Sequence, residues 1–124
     1  MRAWLVLALV ACGGSKSAPS GPGARAAAID AWKQAGLDVS AFAPATASAG
    51  KDCAAGTVAK LDVLVCNYGS VDEAIHAADL GLQWVGDTTG SSQARGTLVI
   101  AVADRHKADP HGKTMNQIFN LASN

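Results

Sequence analysis

The chain has 124 residues, of which 49% are apolar and 16% charged, with ten basic and ten acidic side chains and a formal charge of zero. That length holds one domain, and the composition excludes a largely disordered chain; aromatics at 5% leave a core built from small aliphatic side chains. Balanced charge without a basic stripe excludes nucleic acid as the natural partner.

Residues 1–11 differ from the rest. Arg2 is a positive charge ahead of an unbroken apolar run, Ala3 to Val10. As a helix that run reaches about 12 Å, far short of a roughly 30 Å hydrocarbon core, so it is too short to span a bilayer. It has the proportions of a secretory signal peptide. Leu9-Val10-Ala11-Cys12 follows at once, and this segment resembles the lipobox of bacterial lipoproteins. The resemblance covers only these residues and the apolar run before them. It implies a thioether-linked diacylglycerol on Cys12, cleavage between Ala11 and Cys12, and acylation of the new amino group. Several acyl chains on one residue meet the requirement for stable anchoring, which a single chain does not. Arg2 is the only charge within 1–11, so the processed chain would carry a formal charge of −1.

Gly13 to Gly23 (Gly-Gly-Ser-Lys-Ser-Ala-Pro-Ser-Gly-Pro-Gly) reads as a flexible tether with a reach of about 15–20 Å, which would keep the domain close over the membrane. By the same resemblance, Gly13 and Gly14 are not the acidic residues that retain lipoproteins in the inner membrane. The expected address is the periplasmic face of the outer membrane. The organisation is therefore a signal peptide at 1–11, a lipidated cysteine and tether at 12–23, and a small domain at 24–124.

Within the domain, Ala28, Ile29, Trp32 and Ala35 recur at helical spacing and predict a helix over 24–35, stopped by Gly36-Leu37. Leu37 to Phe42 is expected as a short strand, and Ala43 to Asp52 as a loop. Cys53 and Cys66 are the two cysteines left after Cys12, an even count that favours a disulfide in an oxidising compartment. A tight turn at Ala59-Lys60 makes position i face position 119 − i, which sets Cys53 directly opposite Cys66 in a non-hydrogen-bonded pair. That register puts Ala54, Val58, Leu61, Val63 and Val65 on one face and Ala55, Thr57, Asp62, Leu64 and the cysteines on the other. Ala-Lys is poor chemistry for a two-residue hairpin turn. A redox-active dithiol is the alternative, but neither cysteine has the close spacing and helix N-terminus that such pairs use.

Ser70-Val71-Asp72-Glu73 is a capping-box sequence opening a second helix, with Val71, Ala74, Ile75 and Ala78 expected inward, His76 exposed, and Gly81-Leu82 as the stop. Trp84 to Asp87 is expected as a strand, and Thr88 to Arg95 as a polar turn region. Thr97 to Ala103 is apolar on both faces, as in a strand covered on both sides. A third helix, Thr114 to Leu121, would be capped by Thr114 and Gln117 and turn Met115, Ile118 and Phe119 inward. Helix-Gly-Leu-strand occurs twice, which hints at a duplicated αββ unit. The fold class is α+β: one mostly antiparallel sheet with helices packed on it, and possibly a ferredoxin-like arrangement around a parallel β-α-β segment.

The richest polar cluster is the loop from Asp104 to Lys113. His106, Asp109 and His111 could ligate a metal with Asp104 orienting a ligand, although the five-residue histidine spacing across Pro110 matches no metal motif. The bland alternative is a solvated connection that caps the last helix. Asp87-Thr-Thr-Gly90 reads as a turn, and the Gly90–Gly96 segment lacks the lysine and glycine spacing of a phosphate loop. No nucleophile–base set stands out, and no cofactor motif is present. The expected function is a non-catalytic binding domain, held to the membrane through Cys12 and meeting an envelope protein or cell-wall component. A small metal-binding protein or metal-dependent enzyme using the 104–113 loop is the alternative.

Overall fold

The computed structural model describes residues 22–47 and 50–122. The signal segment, Cys12 and nearly all of the tether lie outside them. The elements are α1 (Pro22–Gln34), β1 (Ala43–Ala47), β2 (Gly50–Val58), β3 (Leu61–Asn67), α2 (Val71–Val85), β4 (Thr89–Arg95), β5 (Leu98–Asp104) and α3 (Lys113–Leu121). The strands form one sheet in the order β1-β2-β3-β5-β4, with every neighbouring pair antiparallel. This is the α+β class expected.

Both faces of the sheet are covered. Val58, Leu61, Val63, Val65, Ile100 and Val102 pack against Trp32 of α1 and Ile118 and Phe119 of α3. The opposite face carries Leu64, Cys66, Ala101 and Ala103 against Val85, and Val99 against Ala74 and Ala77 of α2. All seven residues of β5 are buried, which explains its apolar character on both sides. Trp32 ties the first layer together: its indole N–H donates to the Ile118 carbonyl at 2.9 Å, and its ring lies 6.1 Å from that of Phe42. β3 and β4 run parallel with β5 between them, the split β-α-β of a ferredoxin-like unit, but α2 and α3 lie on opposite faces instead of sharing one.

The β2–β3 hairpin has the register read from the sequence. Val58 pairs with Leu61 and Cys53 with Cys66, and the cysteines form a disulfide with Cα atoms 4.0 Å apart. Closing a loop of this length stabilises by about 3 kcal/mol in the chain-entropy model. The turn is made despite its chemistry: Ala59 and Lys60 take φ of 51° and 72°, the left-handed values of a type I′ turn. The flanking pairs, the bridge from Val39 to Val58 and the bond from the Ala59 N–H to the Asp38 carbonyl hold it there.

Several local expectations are corrected. Residues 37–42 contribute only that isolated bridge, while β1 and the start of β2 occupy the stretch expected as a loop. An edge strand bonded through its main chain needs no apolar alternation and tolerates Pro44. α2 passes through Gly81 and ends at Val85, so Trp84 and Val85 are helical and no second αββ unit exists. Its inward residues are Ala74, Ala77, Gly81 and Val85, leaving Val71 and Ile75 exposed. The stretch expected as a turn region holds a full strand, Thr89–Arg95, which is half-buried beyond its exposed first residue. By contrast, the end of α1 is a Schellman motif as read, with Gly36 at φ 88° and the Leu37 N–H bonded to the Trp32 carbonyl.

Candidate functional site

The 104–113 loop was the strongest polar cluster in the sequence, and its carboxylates are used to build the loop itself. Asp104, at the end of β5, accepts hydrogen bonds from the N–H groups of Ala108 at 2.8 Å and Asp109 at 2.9 Å. Burial disfavours its charge, but the N–H groups of 109, 108, 106 and 107 outweigh this and hold the carboxyl below its ordinary pKa. Asp109 is itself buried and accepts from Thr114 at 3.1 Å and Met115 at 2.8 Å. It therefore satisfies two of the unpaired donors at the start of α3, the role expected of Thr114 and Gln117. Gly112 is the residue before the helix and gives no side-chain cap.

The three residues considered as metal ligands are thus not brought together as a site. Asp109 has both oxygens committed to α3, while His106 and His111 are exposed. Among the described residues no group of three His, Cys, Asp or Glu side chains is arranged to hold a metal ion. His76 is exposed as expected, with its ring near the Asp72 carbonyl and carboxylate one helical turn back. Cys53 and Cys66 are both buried within the sheet, Cys66 completely. A sulfur pair without solvent access suits a structural bridge better than thiol exchange.

At the same end of the sheet, Arg105 closes α2. Its guanidinium donates to the Val85 carbonyl at 3.2 Å and the Trp84 carbonyl at 3.0 Å, pairs with Asp62 of β3 at 2.8 Å, and lies 5.0 Å over the Trp84 ring. A cation against the last carbonyls of a helix is favourable, and the fork geometry explains why arginine serves here. The cluster is saturated by its own partners, so it has a structural task.

The clefts of the described surface include two shallow ones. One, of about 110 Å³, lies between α1 and α3, lined by Ala24, Ala28, Leu98 and Leu121. The Arg95 guanidinium at its wall is directed to the Phe119 carbonyl and ring. The other lies beside the exposed Arg25–Asp52 pair, near Phe42 and Pro44. Neither gathers convergent polar groups.

What the sequence reading missed is on α2. Val71, Ile75 and Leu82 are 52%, 58% and 47% exposed, and with Ala78 they follow helical spacing as a second apolar stripe beside the buried one. β4, next to it, is an edge strand. The signal was present: α2 carries apolar residues at 71, 75, 78 and 82 and again at 74, 77, 81 and 85. Of the residues expected inward, Ala74 is buried, while the larger Val71 and Ile75 belong to the exposed stripe. Comparison with known protein families, curated proteins and solved structures finds no match to this chain. Among the described residues no helix is long and apolar enough to cross a membrane.

Proposed function

We propose that this protein is a lipid-anchored lipoprotein of the bacterial cell envelope, held through Cys12, whose α+β domain is a non-catalytic binding module at the membrane surface. The observation that carries this reading is Leu9-Val10-Ala11-Cys12 directly behind the Arg2-led apolar run. The disulfide between Cys53 and Cys66 supports it, because such bonds persist in oxidising compartments such as the periplasm. α1 begins at Pro22, so fewer than a dozen residues separate the anchor from the domain. The partner would be an envelope protein or cell-wall component within that short reach, and the outer membrane is the address that Gly13 and Gly14 favour.

The test is metabolic labelling with a fatty acid, followed by membrane fractionation, for the parent chain and Cys12→Ser. The parent takes up label and sediments with membranes. The variant loses label and either accumulates uncut or becomes soluble. Equal labelling and equal sedimentation of both would exclude the anchor.

A further inference from the structure

The two edges of the sheet are built differently. β1 carries Pro44, and its register with β2 is broken between Ala45 and Ala47; proline and an irregular register both discourage edge-to-edge pairing. β4 has neither. Its seven residues pair with β5 in unbroken register from Thr89–Asp104 to Arg95–Leu98. The one charged side chain on it, Arg95, is turned to Phe119. Because Arg95–Leu98 closes a two-residue turn, alternate residues bond to β5, and the N–H and C=O groups of Gly90, Ser92 and Ala94 face outward.

α2 lies over β4 and β5. Small residues bring it down close to that edge: a Cβ on Gly81 would collide with Ser92, and one on Gly90 would meet both the Val102 carbonyl of β5 and the Val85 side chain of α2. The Ser92 hydroxyl donates to the Ala78 carbonyl at 2.7 Å. On a helix turning 100° per residue, Ala74, Ala77, Gly81 and Val85 point to the sheet. Trp84, on one flank of the helix, packs toward β3 with Leu64 and Cys66, so Val71, Ile75 and Leu82 on the opposite flank point sideways, past the outer edge of β4. Unsatisfied backbone groups and an exposed aliphatic stripe thus share one edge.

We infer that two copies of this chain pair through β4, antiparallel about a two-fold axis near Ser92, so that their sheets become continuous and their α2 helices lie side by side upon them. An antiparallel edge is complementary to itself, which satisfies the isologous requirement of a two-fold dimer. The spacing agrees. Strands about 4.8 Å apart place a helix over the β4–β5 boundary roughly 5 Å from the axis, so the helices are about 10 Å apart, within the usual contact range. The strand edges and half-exposed aliphatic side chains of two copies bury roughly 1,000 Å² in total, the lower bound for a specific interface and the size at which pairing is weak or transient. Asp72 and Asp79 project on the side of α2 away from the sheet, where like charges of the two helices face solvent, so pairing strengthens with salt.

The experiment uses the full chain in whole cells, co-expressed with two different affinity tags and with Leu82 replaced by photoreactive benzoylphenylalanine. Illumination yields a species of twice the chain mass carrying both tags, independent of the fate of Cys12. Ile75→Glu, on the stripe, lowers its yield at least tenfold. Leu80→Glu, on the other flank of the same helix, leaves it unchanged. Ile75 is 58% and Leu80 37% exposed, and a thermal melt of each variant separates lost pairing from lost stability. The inference is overturned by the absence of a doubly tagged product, by an adduct to a different protein in its place, or by equal loss in both variants.

Discussion

Replacing the turn residues of the β2–β3 hairpin with Ala59→Asn and Lys60→Gly should stabilise the domain. Both positions hold left-handed φ, 51° and 72°, which costs an ordinary L-residue about 1–2 kcal/mol. Glycine at 60 removes most of that cost but loses about 0.5–1 kcal/mol through the greater freedom of the unfolded chain. Asparagine at 59 tolerates the conformation with little such loss. The Lys60 side chain is exposed, and the bond from the residue-59 N–H to Asp38 is made by the main chain, so neither change removes a contact that holds the hairpin. The net gain is about 1–1.5 kcal/mol, or about 5–10 °C in Tm for a domain of this size. Urea melts of the oxidised protein read it directly. Thr46→Gly, at an exposed extended position of β1, is the control and should destabilise, because glycine there only adds unfolded-state freedom. If the turn variant is neutral or less stable than the parent, the left-handed turn is not the geometry that the disulfide and register enforce.

Asp104 should give the stability curve an acid limb. Its folded pKa is depressed, so its contribution is complete above the ordinary carboxylate pKa and is lost as pH falls through the folded value. Chemical denaturation between pH 7 and pH 2 should show that loss in the parent, whereas Asp104→Asn should be weaker at neutral pH and flatter in acid. Gly81→Ala should destabilise by about 1–3 kcal/mol, since the added methyl drives into Ser92 and lifts α2 from β4. Helix propensity alone forecasts a gain of about 1 kcal/mol, so the sign of the change in a thermal melt decides between them.

How much could be read in advance depended on where the information lay. The hairpin register was legible because two cysteines, a 2-residue repeat and a fixed turn position all agree, and a one-residue slip would turn Val63 and Val65 together onto the opposite face of the sheet. The end of α1 was legible because a Schellman ending is local chemistry. β1 and β4 were not, because edge strands of alanine, serine and threonine are held by backbone bonds to a neighbour that is remote in sequence. The candidate site shows the same division. The Asp104–Lys113 cluster stands out by composition, but the fold commits Asp109 to the start of α3. The apolar stripe of α2 was in the sequence, but a helix with two stripes does not say which of them finds the sheet.

The order of residues by itself determined the disulfide pairing, the helix caps at Ser70 and Gly36, and membership of the α+β class, because each follows from neighbours within a few positions or from a period. Tertiary structure alone decided that α2 runs on through Gly81, that Thr89–Arg95 is a strand, and which of two apolar faces is left to solvent. The reason is steric. A glycine over Ser92 permits a close approach that no single-helix pattern encodes, and that approach buries four small residues in preference to three larger ones.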